Sequence, residues 1–314
     1  MSKTNPKFSF VILPEVAAAL NNKQPVVALE STVITHGLPY PANMETAVAM
    51  ETAVREGGAI PATIAIIQGR IHIGLTADQL DYLATRSRDN VRKCSRRDLP
   101  LVVAQQGDGA TTVAGTMILA HTAGITLFAT GGIGGVHRGH PFDVSADLAE
   151  LSRTPVTVVC SGAKSILDLP ATRELLETHG VPVIGYGTDE MPAFYTWQSG
   201  LPVDLRLDTP TAVATVMRAH RQLALQSGIL ITVPAPATAA LDSAEMETII
   251  TQATQEADAQ GIHGAAATPW LLSRLVELTN GRSLQTNTAL LRNNGYVAAQ
   301  IATAYSQGSG SRDQ

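Results

Sequence analysis

PVVALESTVITHGLPYPANMETAVAMETAVREGGAIPATIAII, residues 25–67, decides the fold class. It opens with an apolar, β-branched run, Val26 to Leu29, which has strand length and no polar alternation, as a strand buried on both faces requires. A stretch with helical spacing, Asn43 to Glu56, follows, and a second apolar run, Thr63 to Ile67, completes a strand–helix–strand unit.

The pattern repeats outward. Further strands are expected at Leu101 to Ala104, Ile125 to Ala129, Val156 to Cys160, Val181 to Ile184 and Gly228 to Val233. Between them, Thr111 to Ala123, Ser165 to His179 and Thr211 to Gln226 have helical spacing. Such alternation implies an α/β fold around a largely parallel sheet. Beyond Ala239 the pattern becomes helical, with Ala244 to Gln260, Pro269 to Thr279 and Ser283 to Tyr305 as helices and Gly261 and Gly281 at their stops. No Pro-rich or Ser-rich linker interrupts the middle, so residues 1–314 are expected to form one domain with its core between about 25 and 305. The tail from Ser306 to Gln314 has the composition of a frayed end.

Composition narrows the function. A net charge of −5 offers no basic field for a nucleic-acid polymer, while leaving small phosphorylated substrates open. Two cysteines, Cys94 and Cys160, have neither disulfide nor zinc spacing, which suits a reducing cytoplasm. No apolar run has the length of a membrane span, and Met1 to Pro14 has no signal-peptide core.

In an open α/β sheet ligands bind beyond the carboxyl ends of the strands, so the residues that follow each apolar run matter most. Glu30 follows Val26 to Leu29; a carboxylate there is costly unless it is paired or used. Ser161-Gly162-Ala163-Lys164 follows Val156 to Cys160 and places an amine behind two small residues. Lys164 is a candidate nucleophile if burial or a nearby cation lowers its pKa, and a solvated helix-start lysine otherwise. Thr130 to Gly139 (TGGIGGVHRG) matches neither the dinucleotide nor the Walker spacing, but its glycines free N–H groups for a ligand and permit positive φ.

Three weaker signals lie nearby. Asp143-Val144-Ser145-Ala146-Asp147 holds carboxylates able to take a hard divalent ion, or simply starts a helix. Lys93 to Leu99 (KCSRRDL) is the one dense basic cluster and is either a phosphate contact or a self-paired surface run. Gly107 to Val113 joins a glycine turn to a helix start whose hydroxyls, Thr112 included, meet a phosphate or only cap the helix. Of the eight histidines, His36 and His137 fall inside these segments.

Read together, VVALESTVITHGLPYP, GAIPATIAII, KCSRRDLP, GATTVAGTM, FATGGIGGVHRG, FDVSADL, SGAKSILDLP and VIGYGTDEMPAF resemble the pseudouridine-5′-phosphate glycosidase (indigoidine synthase A-like) family from about Pro25 to about Tyr305. The resemblance implies a three-layer α/β/α fold with a largely parallel or mixed central sheet, a homotrimer, and reversible cleavage of pseudouridine 5′-phosphate to uracil and ribose 5-phosphate. It further implies Glu30 as proton donor and Lys164 as Schiff-base nucleophile. Lys93, Val113, Ser145, Ala146, Asp147 and Asn287 correspond to substrate contacts, and Asp143 to the ligand of one Mn²⁺; Thr112 and His137, in the segments singled out above, are expected to join the substrate contacts. Two departures stand out: the loop between His137-Arg138-Gly139 and Phe142 is shorter than usual, and Cys94 and Ser161 replace the commoner Val and Ala. A Schiff-base lyase or aldolase acting on another sugar phosphate is the competing reading of the same lysine.

Overall fold

A computed structural model describes residues 10–86, 88–262, 264 and 267–308. Most of the tail expected to fray lies outside the described residues. The strands of the large sheet are β1 (Phe10–Ile12), β2 (Val26–Leu29), β3 (Ile60–Ile67), β4 (Arg70–Ile73), β5 (Val91–Cys94), β6 (Asp108–Thr111) and β7 (Leu127–Ala129). A small sheet takes β8 (Val136–His137), β9 (His140–Val144) and β11 (Leu167–Asp168). The large sheet continues with β10 (Thr157–Cys160), β12 (Val183–Tyr186), β13 (Leu205–Leu207) and β14 (Ile229–Thr232).

The large sheet is mixed, with eleven strands in the order β1-β4-β3-β2-β7-β10-β14-β12-β13, and β6 and β5 continue from β3. From β3 through β2, β7, β10, β14 and β12 to β13 every pairing is parallel. All four residues of β2 are buried, as are those of β10 and β14, which explains why these runs are uniformly apolar.

Helices cover the sheet in the three-layer α/β/α arrangement. Helix Arg282–Gln307 crosses β2, β7 and β10 and packs on helices Ala42–Glu56 and Pro210–Gln222. Helix Val113–Ala123 packs against β2, β3, β6 and β7 and against the short helix Ala146–Leu151. Its end is set by Gly124, which adopts φ 85° and lets the chain turn directly into β7. The main apolar core runs continuously from Val16 to Ala302.

Some local expectations are overturned. Leu101 to Ala104 lies in a helix, Leu99–Ala104, rather than a strand. Leu99 and Val102 are buried while Leu101 is 46% exposed, so the apolar spacing is helical and a short apolar run had concealed it. Residues 108–111, expected as a turn running into a helix, form β6, parallel to β5 and antiparallel to β3. Its Gly109 is a close-approach residue, since a Cβ there would lie 2.6 Å from Cys94 Sγ. The helix expected from Ser165 starts only at Leu169, because Leu167 and Asp168 pair with β8.

Candidate active site

The register of the central strands brings the candidate residues together. Leu29 at the end of β2 pairs with Ala129 at the end of β7, which pairs in turn with Val159 of β10. The residues that follow, Glu30, Thr130 and Ser161 to Lys164, therefore leave the sheet along one edge. Of these, Glu30, Thr130 and Lys164 line a cleft of about 790 Å³ shared with His36, Lys93, Thr112, Val113, His137, Asp143, Ser145, Ala146, Asp147 and Asn287. All the residues selected from the sequence meet in this cleft.

Glu30 is 8% exposed, and its two oxygens accept hydrogen bonds from the hydroxyls of Thr130 and Thr32. Burial without partners would be costly; two hydroxyls satisfy the carboxylate while leaving it against the cleft.

The loop carrying Lys164 is laced to the glycine-rich segment. The Ser161 N–H donates to Gly131 O at 2.8 Å, Ile133 N–H to Gly162 O at 3.1 Å, and Lys164 N–H to Ile133 O at 3.1 Å. Gly162 adopts φ 82° with the Pro192 carbonyl against its α-carbon, where no side chain fits. From helix Arg282–Gln307, buried Asn294 donates to Thr130 O at 2.9 Å and to Ser161 Oγ at 3.1 Å, tying both loops to one side chain.

The glycines at 131, 132, 134 and 135 serve differently from the positive-φ role expected of them; of the segment only Gly139 has positive φ. A Cβ at Gly132 would lie 2.6 Å from Phe194 Cδ2, and one at Gly134 2.9 Å from Asp147 Oδ2. Their smallness permits close packing. The Gly134 N–H is committed to Asp147 Oδ2 at 2.8 Å, and Asp147 Oδ1 accepts from Ala114 N–H at 3.0 Å. The Asp147 carboxylate thus joins the start of helix Val113–Ala123 to the glycine segment. Thr112 and Ser145 both cap helices: Thr112 Oγ1 accepts from Gly115 N–H and Ser145 Oγ from Asp147 N–H.

Positive charge gathers in the same cleft. Enclosure in the cleft, followed by the ammonium of Lys164, pulls the Lys93 amine below the usual lysine range, with Asp147 and Glu30 partly opposing. Arg96 is committed to fully buried Glu150, with Nε 2.8 Å from Oε2, and Arg92 Nε lies 3.0 Å from Asp98. The basic run is therefore partly self-paired, and Lys93 is its lysine free to face a ligand. Burial, then Lys93 and Arg88, depress His36 to about 4; burial also lowers His137, against the pull of Asp143.

Asp143 lies on β9 beside Phe142, which is 99% exposed to solvent, and lines the cleft together with Val144. Among the described residues no three metal-binding side chains converge, and both Asp147 oxygens are taken by N–H groups. A lone carboxylate fits a hard divalent ion that keeps most of its waters.

Sequence reading passed over Arg138, Asn294 and Thr130. Arg138 stood beside His137 in a quoted segment but carried no motif of its own. Asn294, fully buried in a helix interior, breaks that helix's apolar face, and this was the available signal.

The family model described as "Indigoidine synthase A like protein" matches residues 15–304. A pseudouridine-5′-phosphate glycosidase of Herpetosiphon aurantiacus is 57% identical, over 95% of this chain and 98% of its own length. One from Solibacter usitatus is 58% identical, over 92% and 97%. Among solved structures, the prealnumycin C-glycosynthase AlnA in complex with ribulose 5-phosphate superposes with a TM-score of 0.90 at 40% identity, over 98% of this chain and all of its own. An indigoidine synthase A-like protein of Thermotoga maritima gives 0.88 at 34%, over 98% and 99%.

Proposed function

The chain belongs to the indigoidine synthase A-like family, and from that premise we propose that it is a pseudouridine-5′-phosphate glycosidase working through Lys164. The observation that carries the reading is the strand register, which sets a buried carboxylate, Glu30, and an amine, Lys164, at one edge of the sheet, in one cleft with Lys93, a cation that makes no ion pair with a described carboxylate.

The bond to be broken joins ribose C1′ to uracil C5, so the leaving group is a carbon and direct hydrolysis has no heteroatom to expel. Covalent catalysis divides the problem. The furanose opens as C1′–O4′ breaks and Lys164 Nζ bonds to C1′, the proton that the nitrogen gives up passing to O4′ as its hydroxyl. The nitrogen lone pair then forms the imine as the C1′–C5 pair passes to uracil, whose C5 takes a proton from Glu30. Water adds to the imine carbon, releasing ribose 5-phosphate and the free amine. Lys93, Ser145, the helix starts at Thr112–Val113 and Ser145–Ala146, and His137 bind the sugar-phosphate end, while Asn287 meets the base. Asp147 holds the glycine segment and helix starts around that substrate. A divalent ion such as Mn²⁺ on Asp143 would supply positive charge beside the substrate.

The same reading places the enzyme as a one-domain homotrimer in the cytoplasm, and no helix among the described residues is long and apolar enough to cross a membrane. The test is incubation of purified protein with pseudouridine 5′-phosphate and Mn²⁺, with uracil and ribose 5-phosphate quantified together. Equal release supports the reaction, and loss of release together with loss of borohydride-trapped adduct in Lys164→Ala supports the imine. A trapped adduct with another pentose phosphate and no uracil would shift the assignment to a lyase on that sugar, a reading to which the ribulose 5-phosphate complex of AlnA gives some support.

A further inference from the structure

A second cleft, of about 680 Å³, opens at the other end of the same strands. Val26 and Leu127, the first residues of β2 and β7, lie in its wall, whereas Glu30 and Thr130 follow the last ones. With a rise of about 3.3 Å per residue, β2 separates the two clefts by roughly 13 Å.

Among the described residues the charged groups lining this second cleft are Lys23, Arg218 and Arg221, with no carboxylate. That is unusual for a chain with 27 acidic and 22 basic residues. Elsewhere arginines close on carboxylates: Arg55 on Glu15, Arg173 on Asp204, Arg274 on Glu256, Arg282 on Glu245. Arg218 and Arg221 make no ion pair with a described carboxylate. Three residues apart on helix Pro210–Gln222, they share one face.

Both are held in place by Tyr305. Arg221 Nη1 lies 3.3 Å from Tyr305 Oη, and the Arg218 guanidinium carbon lies 5.9 Å from the ring centroid. Arg218 Nη1 also reaches the Ala304 and Tyr305 carbonyls, each at 3.4 Å. Helix-end capping explains that edge of Arg218. It leaves Lys23 and the remaining donors of Arg221 unexplained, on a cleft of a size that holds small molecules.

We propose that this cleft is a binding site for a small phosphorylated molecule, its phosphate held by Lys23, Arg218 and Arg221. The site is independent of the glycosidase assignment. It is tested by equilibrium dialysis of the whole chain against radiolabelled orthophosphate at constant ionic strength. Lys23→Glu/Arg221→Glu alters two exposed side chains outside the active-site cleft, and Lys93→Ala removes a phosphate-binding cation from that other cleft.

The expected result is a phosphate site retained in Lys93→Ala and weakened at least about tenfold in the double variant, the discrimination that one lost charge-assisted contact supplies. Arg221→Gln alone, which removes charge without reversing it, should give an intermediate affinity and a normal thermal midpoint. Equal binding by wild type and the double variant, loss of all bound phosphate in Lys93→Ala, or no binding to the wild-type chain would each overturn the proposal.

Discussion

Arg138 Nη2 donates to the Ser165 carbonyl at 3.0 Å, one residue beyond Lys164, while Nε of the same guanidinium reaches the Leu167 carbonyl at 3.1 Å. Glu247 holds the rest of the fork, at 2.6 Å and 3.0 Å. The β8–β9 hairpin, which bears Asp143, is thereby locked to the loop that bears Lys164. Arg138→Ala should lower kcat by about 10- to 100-fold, with a smaller change in KM, because misplacing a reacting group by about 1 Å costs that much. Arg138→Lys should not restore it, since an ammonium cannot reproduce the fork. Glu247→Gln keeps both carbonyl contacts and should stay within about threefold of wild type by the same reasoning. Steady-state uracil release separates the three.

Glu30→Gln retains the shape and the contacts with Thr32 and Thr130 but removes the donated proton. Turnover should fall by roughly 10²- to 10⁴-fold, the usual contribution of general acid–base catalysis, with the thermal midpoint little changed. Normal turnover in this variant would assign the proton to another group.

Gly162→Ala should destabilise the protein by about 2 kcal/mol or more, because alanine is strained at φ 82° and its Cβ would meet the Pro192 carbonyl. Gly180→Ala provides the control. It has φ 64° with nothing within 4 Å, so only the backbone preference of about 1 kcal/mol is lost. Urea midpoints of the two variants test the difference.

Arg96→Ala leaves Glu150 fully buried with Arg153 and Thr154 as its remaining side-chain partners. The net effect of its partners holds the Glu150 carboxyl below its usual range despite burial. Loss of the two-pronged contact should cost about 1–3 kcal/mol by chemical denaturation, chiefly as the desolvation of a less well-paired carboxylate. Glu150→Gln in the Arg96→Ala background should recover part of it.

His36 contributes a pH dependence of definite sign. Its folded value of about 4 lies below the ordinary 6.5, so between these limits the unfolded chain binds the extra proton. The stability associated with a neutral His36 is complete above pH 6.5 and is lost as the pH falls toward 4. His36→Gln should therefore flatten the dependence of the urea midpoint across that window. An unchanged slope would show that the imidazole protonates in the folded cleft as readily as in the unfolded chain.

Much of the architecture was legible because burial leaves a direct mark on composition. The uniformly apolar runs of β2, β10 and β14 announce strands covered on both faces; Glu30 stands out because it directly follows such a run, and Lys164 because it comes four residues after one, behind small residues. Short elements were less legible. Leu99–Ala104 and β6 each span too few residues to display a period, and pairing with β3 and β5, not local propensity, makes a strand of Asp108–Thr111.

By itself, the sequence determined the α/β class, the order of the principal strands and helices, and which residues follow the strand ends, since hydrophobic periodicity and turn chemistry are local properties of the chain. The meeting of Glu30 and Lys164 across 134 positions was decided only by the parallel register of β2, β7 and β10. So were the commitment of Arg96 to Glu150, the grip of Arg138 on the Lys164 loop, and the packing role of Gly131 to Gly135. Each depends on two segments distant in sequence occupying one place, and only the closed packing of the fold puts them there.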